Sequence, residues 1–553
     1  FSVSFTPQQS SKDFQKIFPN DLMISVVLLL LLSLLQEVNG EDVFKVSSTL
    51  GSHMVLQRDS DDVVVWGFAE PDSDVKTTFD GRQVYVSSTD AEGIWRQKLP
   101  STEAGGPYTI VFENEGSDNN ITLDDVMFGD VYVCGGQSNM QFSLGGNENA
   151  TFFANEANNY PNIRLFTVGQ GTESPGVPLN DLKTIEQVWT RTSSTTVTDG
   201  SAFNYFSAVC YFFGKTVSDS MNHTVPIGLI SNNWGGTKVE QWLEPASTQL
   251  CGHNSTGELY NAMIAPYTIG PMKIKGFTWY QGESDYAEPN NLNYTCTQTV
   301  LIENWREKFQ NPNAFFGIVQ LSTWLAPDPI LLAELREQQL ISLSHFQNVA
   351  YATNADRGYG SNIHPPFKEY PGTRLGNAVR SIVYDDARVS NWRSPSYVDF
   401  FFSLSVVVLS NTTLEHTTLE HKRYESSKVL SNTDVVVNLK DVPETLEIYD
   451  IPPNSLFASP QICAVLNRKT PRTCAYAEVI FDNGISVNAS VVSVSGSTMT
   501  IRASSVPSGA KTPVATSYGW GAIPMLNVYS SALVDGNRFG QLPVLPWGNR
   551  TVS

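Results

Sequence analysis

Gly129-Asp-Val-Tyr-Val-Cys-Gly-Gly-Gln-Ser-Asn-Met140 is the stretch that decides the fold. Val131 to Cys134 is a short apolar run, the pattern of a buried strand. Gly135-Gly136 then permits a tight turn with backbone angles that other residues avoid. Ser138 falls at the start of a helix, where unpaired N–H groups and the helix dipole favour negative charge. A serine held there can attack a carbonyl while its own N–H receives the oxyanion. Taken alone, Gly-Gly-x-Ser is more often a helix cap than a nucleophile.

Three further segments change that balance, each in the order apolar strand, polar loop, helix. Pro226 to Ser231 leads into Asn232-Asn-Trp-Gly-Gly-Thr237 and a helix-like Lys238 to Trp242. Ile274 to Tyr280 leads into Gln281-Gly-Glu-Ser-Asp285. Asn348 to Thr353 leads into a long loop with Asp356 and His364, then a helix-compatible stretch from Thr373 to Tyr384. In an open α/β sheet ligands bind at the carboxyl ends of the strands, so the four loops should converge. Together they offer a serine, glycine N–H groups, a carboxamide and a histidine, the set that acyl transfer from an ester requires.

With these residues in view, the sequence resembles the animal sialate O-acetylesterases, within the SGNH hydrolase superfamily. The resemblance rests on Gly136 to Met140, Asn233-Trp-Gly-Gly236, Trp279 to Glu283, Ile363-His-Pro365 and Arg374-Leu375. It extends to Ser52 to Arg58, Val65-Trp-Gly67 and Gly519-Trp-Gly521, so it covers most of the chain from about Asp42 onward. It implies an α/β fold, a three-layer SGNH-type domain with a parallel sheet, flanked by N-terminal and C-terminal β-domains. It also implies removal of O-acetyl groups from sialic acid without a cofactor or metal. The oxyanion hole it implies is the Ser138 N–H, a glycine of Gly235-Gly236 and the Gln281 side chain.

Ser138 is the expected nucleophile, and it needs a base. Of seven histidines, His364 has the strand-end loop context; His53 stands in a β-rich region where a structural role is expected. The acid that orients His364 is left open by the sequence. The resemblance places an Asp two or three residues before the His, but Ser361 and Asn362 occupy those positions. Asp356 is the nearest acid upstream on the loop, Glu283 and Asp285 are alternatives, and Asn362 leaves a Ser-His dyad as a further one. With an acid beside it, His364 would titrate at or above its ordinary value near about 6.5, so activity is expected to rise from acidic towards neutral pH. Trp234, Trp242, Trp279 and Tyr280 line either the pocket or the core. A sialic acid carboxylate calls for a local cation, and Arg164 and Arg357 are candidates.

Composition narrows the function classes. Net charge is −20 with no basic cluster, which excludes nucleic acid as a natural partner. The expected partner is O-acetylated sialic acid or a related acetylated sugar. The rival readings are an esterase of acetylated xylan or another polysaccharide, and an inactive carbohydrate-binding protein. Val26 to Leu35 is an apolar block of signal-peptide length, with Val38-Asn39-Gly40 as a cleavage site and residues up to Leu22 read as a leader ahead of Met23. No stable membrane span is expected after its removal, and the address is secreted or lysosomal. Eight Asn-x-Ser/Thr sites, at Asn120, Asn149, Asn222, Asn254, Asn293, Asn411, Asn488 and Asn549, agree with that route. Six cysteines fit it too. Cys463 with Cys474 is expected to staple a hairpin, Cys251 with Cys296 is a second pair, and Cys134 and Cys210 are expected as buried thiols. No Cys/His spacing matches a zinc site.

The expected divisions are 1–40, leader and signal peptide; 41–127, a β-domain; 128–387, the esterase domain; and 388–553, a sandwich-like β-domain. A tandem copy, Thr412 to His416 and Thr417 to His421, has no assigned role.

Overall fold

A computed structural model describes residues 43–551, apart from 116, 118, 288–292, 398–426, 450–459 and 532–540. The apolar block at 26–35 and the tandem copy at 412–421 lie outside the described residues.

The central sheet is built from β1 (Ile121–Gly136), β2 (Ile163–Val168), β3 (Ile185–Arg191), β4 (Ile227–Asn233), β5 (Gly276–Tyr280), β6 (Phe315–Gln320) and β7 (Val349–Thr353). Their order is β3-β2-β4-β1-β5-β6-β7, and every neighbouring pair is parallel except β3 with β2. The apolar runs of β2, β4, β5 and β6 are buried along their whole length, as in strands covered on both faces. The first half of β1 pairs antiparallel with Gly105–Asn114 and parallel with Val55–Gln57. From Asp130 the same strand pairs in parallel with β4 and β5. One long strand therefore carries the β-rich N-terminal region into the α/β region.

That junction explains the Ser52 to Arg58 motif. Gln57 and Arg58 donate to the buried Asp130 carboxylate at 3.1–3.2 Å, and the Tyr384 hydroxyl donates to it at 2.9 Å. The base of β1 is thus fixed by charge-assisted bonds from two other parts of the chain.

Five helices matter to the site: α1 (Ser138–Gln141), α2 (Ala208–Ser220), α3 (Tyr294–Lys308), α4 (Pro329–Ile341) and α5 (Glu369–Val383). Ser207 caps α2 by accepting from Cys210 N, and Asp328 caps α4, with Pro329 in its first turn. The helix expected at 373–384 is observed as Glu369–Val383, four residues earlier at its start. Along β1, Tyr132 meets Phe213 of α2 edge-on, while a side chain at Gly135 would strike Trp305 of α3. Alternate residues of one strand thus meet different helices.

C-terminal to α5, an antiparallel sheet runs through Asp434–Lys440, Thr498–Ala503, Ser486–Ser495, Ala477–Phe481, Pro513–Tyr518 and Trp547–Thr551. It has its own core around Val437, Phe481, Met499, Ile501 and Trp547. The buried Arg336 of α4 donates to the carbonyls of Gly521 and Ala522, which gives the Gly519 to Gly521 motif a docking role. The mixed α/β fold with a central sheet and a C-terminal β region matches the sequence reading.

Three disulfides are present: Cys134–Cys210, Cys251–Cys296 and Cys463–Cys474. The first corrects the expectation of buried thiols. Both sulfurs are indeed buried, but β1 and the first turn of α2 face each other, with Cα atoms 5.9 Å apart. Cys463–Cys474 joins the helix Pro460–Lys469 to the strand Cys474–Ala475, so it does not staple a hairpin.

Candidate active site

Strand order places the site. β1 lies between β4 and β5, so the loops that follow these three strands meet at a switch point of the sheet. The tightness of the meeting is set by glycine. A Cβ on Gly136 (φ 142°) would stand 2.1 Å from the Tyr280 carbonyl oxygen, and one on Gly235 would stand 3.2 Å from Ser138 Cβ. Gly136 lets the nucleophile turn close over β5, and Gly235 lets the β4 loop lie against the nucleophile itself.

Ser138 opens α1 and is half-buried. His364 Nε2 lies 2.8 Å from Ser138 Oγ, in hydrogen-bonding range for proton transfer. The imidazole rests between Phe142, at a centroid distance of 6.4 Å, and Phe203, at 5.1 Å. Burial, followed by the positive charge of Lys368, holds its pKa down at about 4. That corrects the expectation of an ordinary or raised value, because among the described residues no carboxylate hydrogen-bonds to the ring.

Asp356 is elsewhere engaged. Arg374 donates to both of its oxygens, at 2.7 and 2.9 Å, and Tyr529 Oη donates at 3.2 Å. Arg374 and Arg357 hold this buried carboxyl below its usual range against the cost of burial. No hydrogen bond joins Asp356 to His364 among the described residues, so the expected orienting acid is instead an anchor for the loop. Asn362 Oδ1 accepts from the His364 backbone N–H at 2.9 Å and so fixes the main chain instead of the ring. Asp285 accepts from Gln281 and Val239 N, and Glu283 accepts from Asn139. None of the acids weighed from sequence bonds to the imidazole.

Gln281 departs from its expected role as an oxyanion donor. Fully buried, its Nε2 donates to Gln137 Oε1, Thr237 O and Asp285, while its Oε1 accepts from Tyr294 Oη. Those partners use all of its donor capacity. Gly235 N–H donates to Gln141 Oε1 at 3.1 Å. The N–H groups of Ser138 and Gly236 donate to no protein acceptor among the described residues. Trp242, Trp279 and Tyr280 are core residues, whereas Trp234 is half-buried on the loop bearing Gly235.

Residues that the sequence reading did not single out complete the surroundings. Gln137 Oε1 accepts from Gln281 Nε2, Gly282 N and Ser284 N, tying the nucleophile turn to the β5 loop. Asn139 bonds to Glu283, Ile363 O and Lys368. Gln137 and Asn139 flank the serine in its motif and were legible there; Lys368 carries no sequence signal.

A family described as carbohydrate esterase, sialic acid-specific acetylesterase, matches residues 128–376. The sialate O-acetylesterase of Pongo abelii is 33% identical over 387 residues, covering 63% of this chain and 72% of that one. The chain belongs to the sialate O-acetylesterase family. The Homo sapiens member is 32% identical, with 63% of this chain and 72% of that one covered. The crystal structure of a carbohydrate acetylesterase from Xanthomonas citri superposes with a TM-score of 0.70 at 26% identity, covering 91% of this chain and 98% of that chain.

Within this family fold the two candidate arginines differ. Arg164 is bound by Asp125 and by the carbonyls of His53 and Pro161, and is 3% exposed, which removes it as a substrate partner. Arg357 stacks on Tyr370 at 3.7 Å and lies 3.3 Å from Asp356. Its terminal nitrogens hydrogen-bond to no protein group among the described residues.

Proposed function

We propose that this chain is a serine esterase that removes O-acetyl groups from sialic acid through an acetyl-enzyme. The observation that carries the mechanism is the 2.8 Å contact between His364 Nε2 and Ser138 Oγ at the convergence of the strand-end loops. Ser138 Oγ attacks the acetyl carbonyl and passes its proton to His364 Nε2. The Ser138 and Gly236 N–H groups, which donate to no protein acceptor among the described residues, receive the oxyanion. Collapse returns the proton to the departing sugar oxygen, and a water activated by the same imidazole releases acetate. Ser138 and His364 act as a dyad, with the imidazole held by packing against Phe142 and Phe203 and the main chain beneath it fixed by Asn362.

Arg357 is the proposed partner of the substrate carboxylate. It sits on the His364 loop, its terminal nitrogens have no hydrogen-bond partner among the described residues, and Arg374 already neutralises Asp356 beside it. The esterase part is read as a three-layer SGNH domain over about 128–387, supported by the different helices that meet Tyr132 and Gly135. The regions 41–127 and 388–553 are read as accessory β-domains, the latter sandwich-like. Three disulfides and the exposed acceptor asparagines Asn120, Asn149, Asn222, Asn254, Asn293 and Asn488 support a secreted or lysosomal address. Among the described residues no helix is long and apolar enough to cross a membrane.

Acetate release from O-acetylated sialic acid and from acetylated xylan, measured side by side, tests this reading. Turnover of the sialate that vanishes in Ser138→Ala supports it. Preference for xylan would move the assignment to polysaccharide, and an inactive wild type would leave a binding protein.

A further inference from the structure

Behind the nucleophile lies a buried polar cluster that the acyl-transfer steps do not use. At its centre is Lys368, fully buried, four residues after His364 and one before α5. Its Nζ donates to Asn139 Oδ1 at 2.5 Å and lies 4.7 Å from the Phe142 ring and 5.6 Å from the Tyr280 ring. Asn139, the residue after the nucleophile, donates in turn to Glu283 Oε1 at 2.5 Å and to Ile363 O at 2.9 Å. Ile363 immediately precedes His364. The Lys368 N–H donates to Asn147 Oδ1, and Asn147 Nδ2 donates to Glu369 Oε2. A single asparagine therefore joins the nucleophile turn, the residue before the base and the ammonium beyond it.

A buried ammonium is costly and persists where its surroundings supply partners. Filling the space against Phe142 and Tyr280 requires no charge, since methionine has similar length and adapts to irregular packing. We propose that Lys368 is a positioning residue for ester hydrolysis: acting through Asn139, it clamps segment 363–368 onto the nucleophile turn and sets His364 Nε2 at bonding distance from Ser138 Oγ. The inference rests on the Ser138–His364 dyad proposed above.

The clamp has an electrostatic consequence. Facing Lys368 are Glu283 from the β5 loop, Tyr280 from β5, Glu369 from α5 and His364 on its own segment; Glu148 and Arg357 act on it through Glu369. Burial pushes Glu283 up to about 7 and Glu369 up to about 6, and pushes Lys368 down to about 7. Burial thus favours the protonated form of both carboxyls and opposes the charge on Lys368, which the two carboxylates support. That charge, added to burial, opposes protonation of His364. The base stays neutral in acid where an ordinary imidazole would not.

The test compares Lys368→Met, Asn139→Ala and the double variant on 4-nitrophenyl acetate, with Ser138→Ala as reference. Each single variant should lose tenfold or more in kcat with KM within twofold. The double variant should be no worse than the poorer single one, because both substitutions break one clamp. The acid limb of kcat/KM should move to higher pH in Lys368→Met and stay in place in Asn139→Ala, which keeps the ammonium. Wild-type kcat and an unmoved acid limb in Lys368→Met, or independent additive losses in the double variant, overturn the proposal. If Lys368→Met does not fold, Asn139→Ala decides: wild-type kcat, or a loss confined to KM, overturns the clamp. Residual turnover in Ser138→Ala would instead overturn the dyad beneath it.

Discussion

Two buried carboxyl groups flank this site, and their surroundings give them opposite characters. Asp356 meets a bidentate guanidinium, a second arginine and a tyrosine hydroxyl, so it stays ionised and fixed. Among the described residues Glu283 has one amide donor for Oε1 and none for Oε2, and burial pushes its pKa to about 7. Asp356 ties the His364 loop to the C-terminal region, because its partner Arg374 also donates to Gln541 O. Glu283 belongs to the cluster behind the nucleophile. Of the two, the one closer to His364 in sequence is thus a strut, and the one bonded to Asn139, the residue after the nucleophile, is a weak, switchable acid. A carboxyl near a base is assigned by what saturates it, more than by its distance along the chain.

The largest effect that could break this contrast is Asp356→Asn. The substitution leaves Arg374 buried without its counter-charge, which typically costs roughly 3–5 kcal/mol. Denaturant unfolding should show that loss, while protein that remains folded keeps kcat within about tenfold. A fall of about 10⁴ in kcat at unchanged stability, as when a triad aspartate is neutralised, would restore Asp356 as the orienter.

Reduction of Cys134–Cys210 comes next, at roughly 2–5 kcal/mol. Mass mapping that finds both thiols free in native protein would contradict that bridge.

Arg357→Ala sharpens the other side of the Asp356 cluster. It should raise KM for O-acetylated sialic acid about tenfold or more, the loss of one carboxylate contact of roughly 1.5–3 kcal/mol, and leave KM for neutral 4-nitrophenyl acetate unchanged. Equal effects on both substrates would remove Arg357 from carboxylate binding.

The smallest effect lies in the pH dependence of stability. Glu283 binds its proton more tightly folded than unfolded, so it contributes stability at low pH that is lost as pH rises from about 4.5 to about 7. Asp356 has the opposite sign: its contribution is present above the ordinary Asp range and lost as pH falls through its depressed value. Glu283→Gln should flatten the decline between about 4.5 and 7 without touching the acid side. A decline that persists unchanged in that variant would remove Glu283 as its source.

The same contrast explains what the sequence revealed. The nucleophile turn, the strand–loop–helix order and His364 were legible because each depends on local pattern: an apolar run, a glycine turn, a residue at a strand end. The partners of Gln281, Asp356 and Lys368 were not, because they come from distant segments; Tyr529 lies 173 residues from Asp356. Gln281 looked like an oxyanion donor until Gln137, Thr237 and Asp285 used its N–H groups. Cys134 and Cys210 read correctly as buried, but burial alone does not show that two buried sulfurs face each other.

The acid limb of kcat/KM for the wild-type enzyme on 4-nitrophenyl acetate tests the dyad most directly, because it reports the protonation of His364 in the free enzyme. The expected limb lies near pH 4, set by burial and Lys368. A limb at or above about 6.5, where an imidazole paired with a carboxylate titrates, would contradict it.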